Sequence, residues 1–212
     1  MAWEENPRIC LHMQLIAILS RTGVFLCHFL RIFLSLQSKS KSKMMENKEQ
    51  KTFEPQSASG VAEKYAEILL QVKGLMEGVD NPVGVLANVA ALLKEAFDYY
   101  FWVGFYVVRH GELQLGPFQG SLACFSIKHG RGVCGTSWAE ARTLMVSDVH
   151  AFPGHIACSS RSQSEIVVPV MKDGVVVAVI DVDSSELDSF HEADQQGLEA
   201  IAQVLGSLFP IG

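Results

Sequence analysis

The sequence is poor in charge: only 19% of its 212 residues are Asp, Glu, Lys or Arg. It lacks a basic excess, with a formal net charge of −6. A nucleic-acid partner is therefore not expected, because a phosphate backbone is held by clustered Lys and Arg. Its five cysteines contain no closely spaced Cys-x2-4-Cys pair. That spacing does not fit a structural zinc site, and five in a chain this long do not make a disulfide scaffold; no metal is expected. There is no phosphate-binding glycine loop and no EF-hand pattern. No apolar run reaches the roughly 20 residues of a spanning helix, so a membrane partner is not expected unless the N-terminus anchors the chain. Residues 44–212 contain no repeat and no low-complexity tract.

Acids are missing altogether between Glu5 and Glu46. Residues 1–43 carry Arg8, Arg21, Arg31, Lys39, Lys41 and Lys43 against Glu4 and Glu5, whereas residues 44–212 are strongly acidic. Ile9–Leu19 and Val24–Leu36 are mostly apolar and are broken by Arg21, Thr22 and Gly23. A helix through both would place Arg21 near the bilayer centre, at a cost of a few kcal/mol. A small-residue cleavage site of the A-x-A kind is also missing, which disfavours a secretory signal. The absence of acids, the arginines and the late serines fit an organellar transit peptide. Alternatively, translation begins at Met44 or Met45, where the composition changes. Residues 1–43 are expected to lie outside the fold, with 44–57 a linker and 58–212 the folded domain. The expected location is the cytoplasm, or an organelle if the first segment is a transit peptide. Cys10 and Cys27 belong to that segment and carry no assigned chemistry.

What is present reads as grouped elements. Gly60–Glu77 has Val61, Tyr65, Ile68, Leu69, Val72 and Met76 at helical spacing. Asn81-Pro82 opens a second helix, as N-cap and first-turn proline. Tyr100–Val108 is aromatic and β-branched, as a strand should be, and Arg109-His110-Gly111 turns it into Glu112–Leu115. A Gly-rich middle, Gly116–Ser137, reads as irregular. Leu144–Val149 is a short strand and His150–Gln163 a loop. Glu165–Met171 and Val175–Asp181 form a hairpin through Lys172-Asp173-Gly174. Phe190–Phe209 is a last helix. Strands grouped rather than alternating with helices indicate an α+β fold with an antiparallel sheet.

Three cysteines fall in the irregular stretches: Cys124, Cys134 and Cys158. Each has a small neighbour, so accessible thiols are expected, reactive where their pKa is lowered; alternatively all three are inert. His155 shares a loop with Cys158, either as an activating base or to order the loop. Asp181 and Asp183 alternate onto one strand face, and the hairpin brings Glu165 to the same end. Three carboxylates on one rim are costly unless a cation, a ligand ammonium or shared protons neutralise them; alternatively they solvate a strand end. Trp102 lies in the first strand, in the core or facing a pocket.

Seven motifs then occur in order: Trp102-Val103-Gly104-Phe105-Tyr106, Leu115-Gly116-Pro117-Phe118-Gln119-Gly120, Ala123-Cys124, Gly132-Val133-Cys134-Gly135, Phe152-Pro153-Gly154-His155-Ile156-Ala157-Cys158, Ser164-Glu165-Ile166-Val167-Val168-Pro169 and Asp181-Val182-Asp183-Ser184. Together they closely resemble the free methionine-R-sulfoxide reductases, a family of stand-alone GAF domains, from about Ala58 to Leu208. The resemblance implies a six-stranded antiparallel sheet with helices packed on one face and a ligand pocket on the other. It implies thiol-dependent reduction of free methionine-R-sulfoxide to methionine, and maps the family's cysteines onto Cys124, Cys134 and Cys158. Cys158 is expected as the nucleophile that becomes a sulfenic acid, and Cys124 as the thiol that condenses with it; Cys134 competes for either role. Trp102, Glu165, Asp181 and Asp183 are the implied substrate-binding residues. No bound cofactor is expected; thioredoxin is the implied reductant, and a homodimer is plausible by resemblance. Ser159, Thr136-Ser137 and Ser185 depart from the family pattern, and Ser159 replaces an Asp beside Cys158. The alternative is a GAF sensor module that binds a small ligand or reports redox state without catalysis.

Overall fold

The computed structural model describes residues 58–156 and 159–209. The readings made for residues 1–57, including Cys10 and Cys27, and the placement of Cys158, lie outside the described residues. Among the described residues, no helix is long and apolar enough to cross a membrane.

Helix α1 (Ala58–Met76) buries Val61, Tyr65, Ile68 and Val72, a stripe at helical spacing. Helix α2 (Pro82–Ala96) starts where expected. The Asn81 side chain accepts a hydrogen bond from the Gly84 N–H at 3.0 Å, and Pro82 follows at the first turn. The strands are β1 (Trp102–Arg109), β2 (Glu112–Gln119), β3 (Ser126–Lys128), β4 (Leu144–Val146), β5 (Ser164–Lys172) and β6 (Val175–Ser184). They form one six-stranded antiparallel sheet in the order β3-β2-β1-β6-β5-β4. Both tight hairpins turn on two residues with positive φ: His110 and Gly111 at 53° and 78°, Asp173 and Gly174 at 47° and 82°. These are the backbone angles of a type I′ turn, whose twist matches that of the flanking strands.

The remaining α-helices among the described residues are α3 (Gly132–Glu140) and α4 (Glu192–Leu205). One sheet face, with Val103, Phe105, Ile166, Val168, Ile180 and Val182, packs under α1, α2 and α4. The other face, with Trp102, Tyr106, Val167 and Val179, packs against Val133 and Cys134 of α3. The expected fold class therefore stands, with one helix added on the far face.

Several expected boundaries move. The Gly-rich middle is not irregular: β2 runs on to Gln119, and β3 and α3 follow. Its glycines serve close approach. A Cβ on Gly135 would lie 2.4 Å from the Lys128 carbonyl oxygen, so only glycine lets α3 fold back onto β3. Strand β4 ends at Val146, and the last helix starts at Glu192, where Asp194 accepts a hydrogen bond from the His191 N–H at 2.9 Å. Strand β6 runs past its expected end at Asp181 to Ser184, and Asp183 is its last residue but one.

Helix α4 docks on α1 through a buried polar knot. The Tyr65 hydroxyl donates to Asp194 at 3.0 Å and is hydrogen-bonded to the Tyr100 hydroxyl; the Tyr99 hydroxyl donates to Asp194 at 2.5 Å. The Tyr65 ring lies flat on Gly197, where a Cβ would sit 2.1 Å from the ring. Gly197→Ala is expected to destabilise the fold by about 2–3 kcal/mol. In an open helix the same change stabilises by about 1 kcal/mol, so the sign of the effect reports the contact. Thermal unfolding followed by circular dichroism should show a fall of roughly 5–10 °C, and a rise would refute the contact.

Candidate active site

Strand alternation and register assemble the site. Trp102, Gly104 and Tyr106 share one face of β1, and Asp181 and Asp183 share the same face of β6. Pairing sets Trp102 opposite Asp183 and Gly104 opposite Asp181. On the other side of β6, Glu165 of β5 stands opposite Asp183. The three acids thus come from two neighbouring strands and line one cleft with Trp102, Tyr106, Ser162, Val133 and Cys134.

Trp102 is held as a wall of this cleft. It is 3% exposed, its indole N–H donates to the Ser121 carbonyl at 3.0 Å, and it stacks on Phe118 with ring centres 5.3 Å apart. Two glycines leave it room: a Cβ on Gly104 would come within 2.6 Å of the indole, and one on Gly120 within 2.5 Å. Any larger residue at either position would displace the ring.

Glu165 and Asp181 are 6% and 7% exposed. The Asp181 Oδ1 is buried with no hydrogen-bond partner. Donor atoms of Cys134, Glu165 and Asp181 all lie within 4.8 Å of one another, and the Cys134 thiol faces Glu165 Oε1 at 3.8 Å. Burial, then the charges of Asp181 and Asp183, push the Glu165 carboxyl well above its ordinary range. Burial and Asp183 do the same to Asp181. Asp183 is pushed up to about 6 by burial, with a hydrogen bond from Ser162 acting the other way. The arrangement resists full ionisation. It can hold protons on the acids or accept a cation among them.

Cys134 corrects an expectation. Its glycine neighbours pointed to an exposed loop thiol, yet it lies in the first turn of α3 and is buried. Burial, then Asp181 and Glu165, raise its pKa, the opposite of activation. Cys124 is half-buried and engaged in a disulfide. His155 lines the cleft, where burial and the nearby His150 lower its pKa.

The sequence reading missed three parts of the site. Tyr106 is 1% exposed in the cleft. Period-two spacing from Trp102 could have found it. Ser162, 4% exposed beside Asp183, lies in a loop and left no signal. The start of α3 also lines the cleft beside the expected Cys134, through Gly132 and Val133, and its first N–H groups have no partner within the helix.

Comparison with known proteins agrees with this geometry. The GAF domain family matches residues 81–208. GAF domain-containing protein A of Dictyostelium discoideum is 54% identical over 144 residues, covering 68% of this chain and 90% of that protein. Free methionine-R-sulfoxide reductase of Escherichia coli is 42% identical over 143 residues, covering 68% of this chain and 87% of that protein. The X-ray structure of free methionine-R-sulfoxide reductase from Neisseria meningitidis in complex with its substrate is 50% identical. It superposes with a TM-score of 0.67 over 70% of this chain and 89% of that one. A curled antiparallel sheet with an acid-lined cleft, and relatives of this likeness and coverage, lead to one assignment: the chain belongs to the GAF family, in its branch of free methionine-R-sulfoxide reductases.

Proposed function

We propose that the protein reduces free L-methionine-R-sulfoxide to L-methionine. The observation that carries this reading is the buried acid cluster, with the orphaned Asp181 oxygen, facing a cleft walled by Trp102. A free amino acid brings an ammonium to that cluster; a peptide-bound methionine sulfoxide has none. The ionised Asp183 is the first partner for the ammonium, since it loses its proton at about pH 6. The N–H groups at the start of α3, which have no partner within the helix, suit the carboxylate. Trp102 offers an apolar face to the methyl group.

The Cys158 thiolate attacks the sulfoxide sulfur. The proton held between Glu165 and Asp181 goes to the departing oxygen. The protonated oxygen passes from the methionine sulfur to the Cys158 sulfur as the transient S–S bond breaks, so methionine is released and Cys158 is left as a sulfenic acid. Cys124 then attacks that sulfur, a second proton leaves with the oxygen as water, and a Cys124–Cys158 disulfide forms. A dithiol of the thioredoxin type donates two electrons to restore both thiols. Such a reductant fits the cytoplasm, or an organelle if residues 1–43 are a transit peptide; mass spectrometry of the native N-terminus decides between them.

NADPH oxidation in the presence of thioredoxin, its reductase and each purified sulfoxide epimer tests the reading. Turnover is expected for the free R epimer and not for the S epimer or for N-acetylmethionine-R-sulfoxide. Equal turnover of both epimers would sink it. Tight binding without turnover would favour the sensor module instead.

A further inference from the structure

We propose that Cys134, Glu165 and Asp181 form a binding site for a thiophilic divalent cation such as zinc, which excludes the substrate and reversibly inhibits the protein. This rests on the reading of the same cleft as the substrate site. The sequence carries no metal motif because the three donors come from α3, β5 and β6, and only the fold brings them together.

Three observations support the site. All three donors are buried, and they lie within 4.8 Å of one another. The Cys134 sulfur and Glu165 Oε1 are 3.8 Å apart. Zinc–sulfur and zinc–oxygen bonds of about 2.3 and 2.1 Å at tetrahedral angles place such donors roughly 3.6 Å apart, so this pair is already close to ligand spacing. The Asp181 Oδ1, in a residue 7% exposed, has no hydrogen-bond partner. An organic ammonium would satisfy that oxygen, and so would a metal ion. The thiol separates the two. It contributes nothing to an ammonium, whereas it selects zinc or cadmium over magnesium and calcium, which prefer oxygen donors alone. Three protein donors leave a fourth position open to water.

Titration of the reduced full-length protein with Cd²⁺, under exclusion of oxygen, tests the site through thiolate-to-cadmium ultraviolet absorption and equilibrium dialysis. Other cysteines also take cadmium, so the reading is a difference. Cys134→Ser and Asp181→Asn are each expected to bind one equivalent fewer than the wild type, and Mg²⁺ is expected not to compete. Two variants on different elements guard against a folding defect in one. Equal stoichiometry and affinity in all three proteins would overturn the site. With a phosphine as reductant, the part of the Cd²⁺ inhibition that Cys134→Ser loses should be competitive with the sulfoxide, a roughly twofold rise in KM at a Cd²⁺ concentration equal to the dissociation constant of the site. An unchanged KM in protein carrying the ion would overturn the exclusion. Absence of turnover without metal would refute the reductase reading instead, and the binding difference would still decide the site.

Discussion

Cys158→Ser is expected to abolish turnover, lowering kcat by at least ~10³-fold, while the melting temperature stays within roughly 2 °C. The other two thiols are less suited to attack. Cys134 is 3% exposed and faces Glu165, and burial with the neighbouring acids keeps its thiol protonated. A protonated thiol is a poor nucleophile. Cys124 is engaged in a disulfide, which fits either member of the redox pair, and the family resemblance assigns it the resolving role. Cys158 follows His155, a residue of the cleft lining. The assay is single-turnover methionine formation, which separates attack from disulfide recycling. A Cys158→Ser protein that forms methionine at the wild-type rate would transfer the nucleophile's role to Cys134.

Asp181→Asn is expected to act in two directions. Activity should fall by about 10²–10⁴-fold, because the amide cannot share the acid proton required by the departing oxygen. Stability of the substrate-free protein should rise at neutral pH by about 1–2 kcal/mol, because one of three crowded carboxyls is gone. The sign follows from proton binding. The folded pKa of Asp183 is about 6 against an ordinary 3.8, and those of Glu165 and Asp181 are raised as well. Between the two values the folded state holds more protons than the unfolded one, so stability falls as pH rises. For Asp183 that loss begins near pH 4 and is complete above about pH 6. Thermal unfolding from pH 4.5 to 8 should show a shallower decline in Asp181→Asn than in the wild type. A lower melting temperature for the variant at pH 7.5 would refute the crowding.

Particular residues show how far the sequence could be read. The Asn81-Pro82 cap, the Asp173-Gly174 turn and the stripe of α1 were legible because each depends on neighbours within a few positions. Helix α3 was not legible. Its glycines answer to the carbonyl of Lys128 and the side chain of Ile156, contacts that no local pattern encodes. Trp102 was ambiguous between core and pocket. Strand period gave its face, and the stack on Phe118 with the hydrogen bond to Ser121 decided its role. The acids were recognisable as a group from alternation and the hairpin, while Ser162, in a loop beside them, was not.

By itself, the sequence determined the α+β class, the two hairpin turns and the cysteines and acids able to do chemistry. These rest on side-chain period and on turn geometry, which are local properties. Tertiary structure alone decided the state of those residues. It buried Cys134 against Glu165 and Asp181, left one Asp181 oxygen without a partner, and added the start of α3 to the cleft. The reason is desolvation: a thiol or a carboxyl has its ordinary proton affinity in water, and only packing by distant segments removes that water.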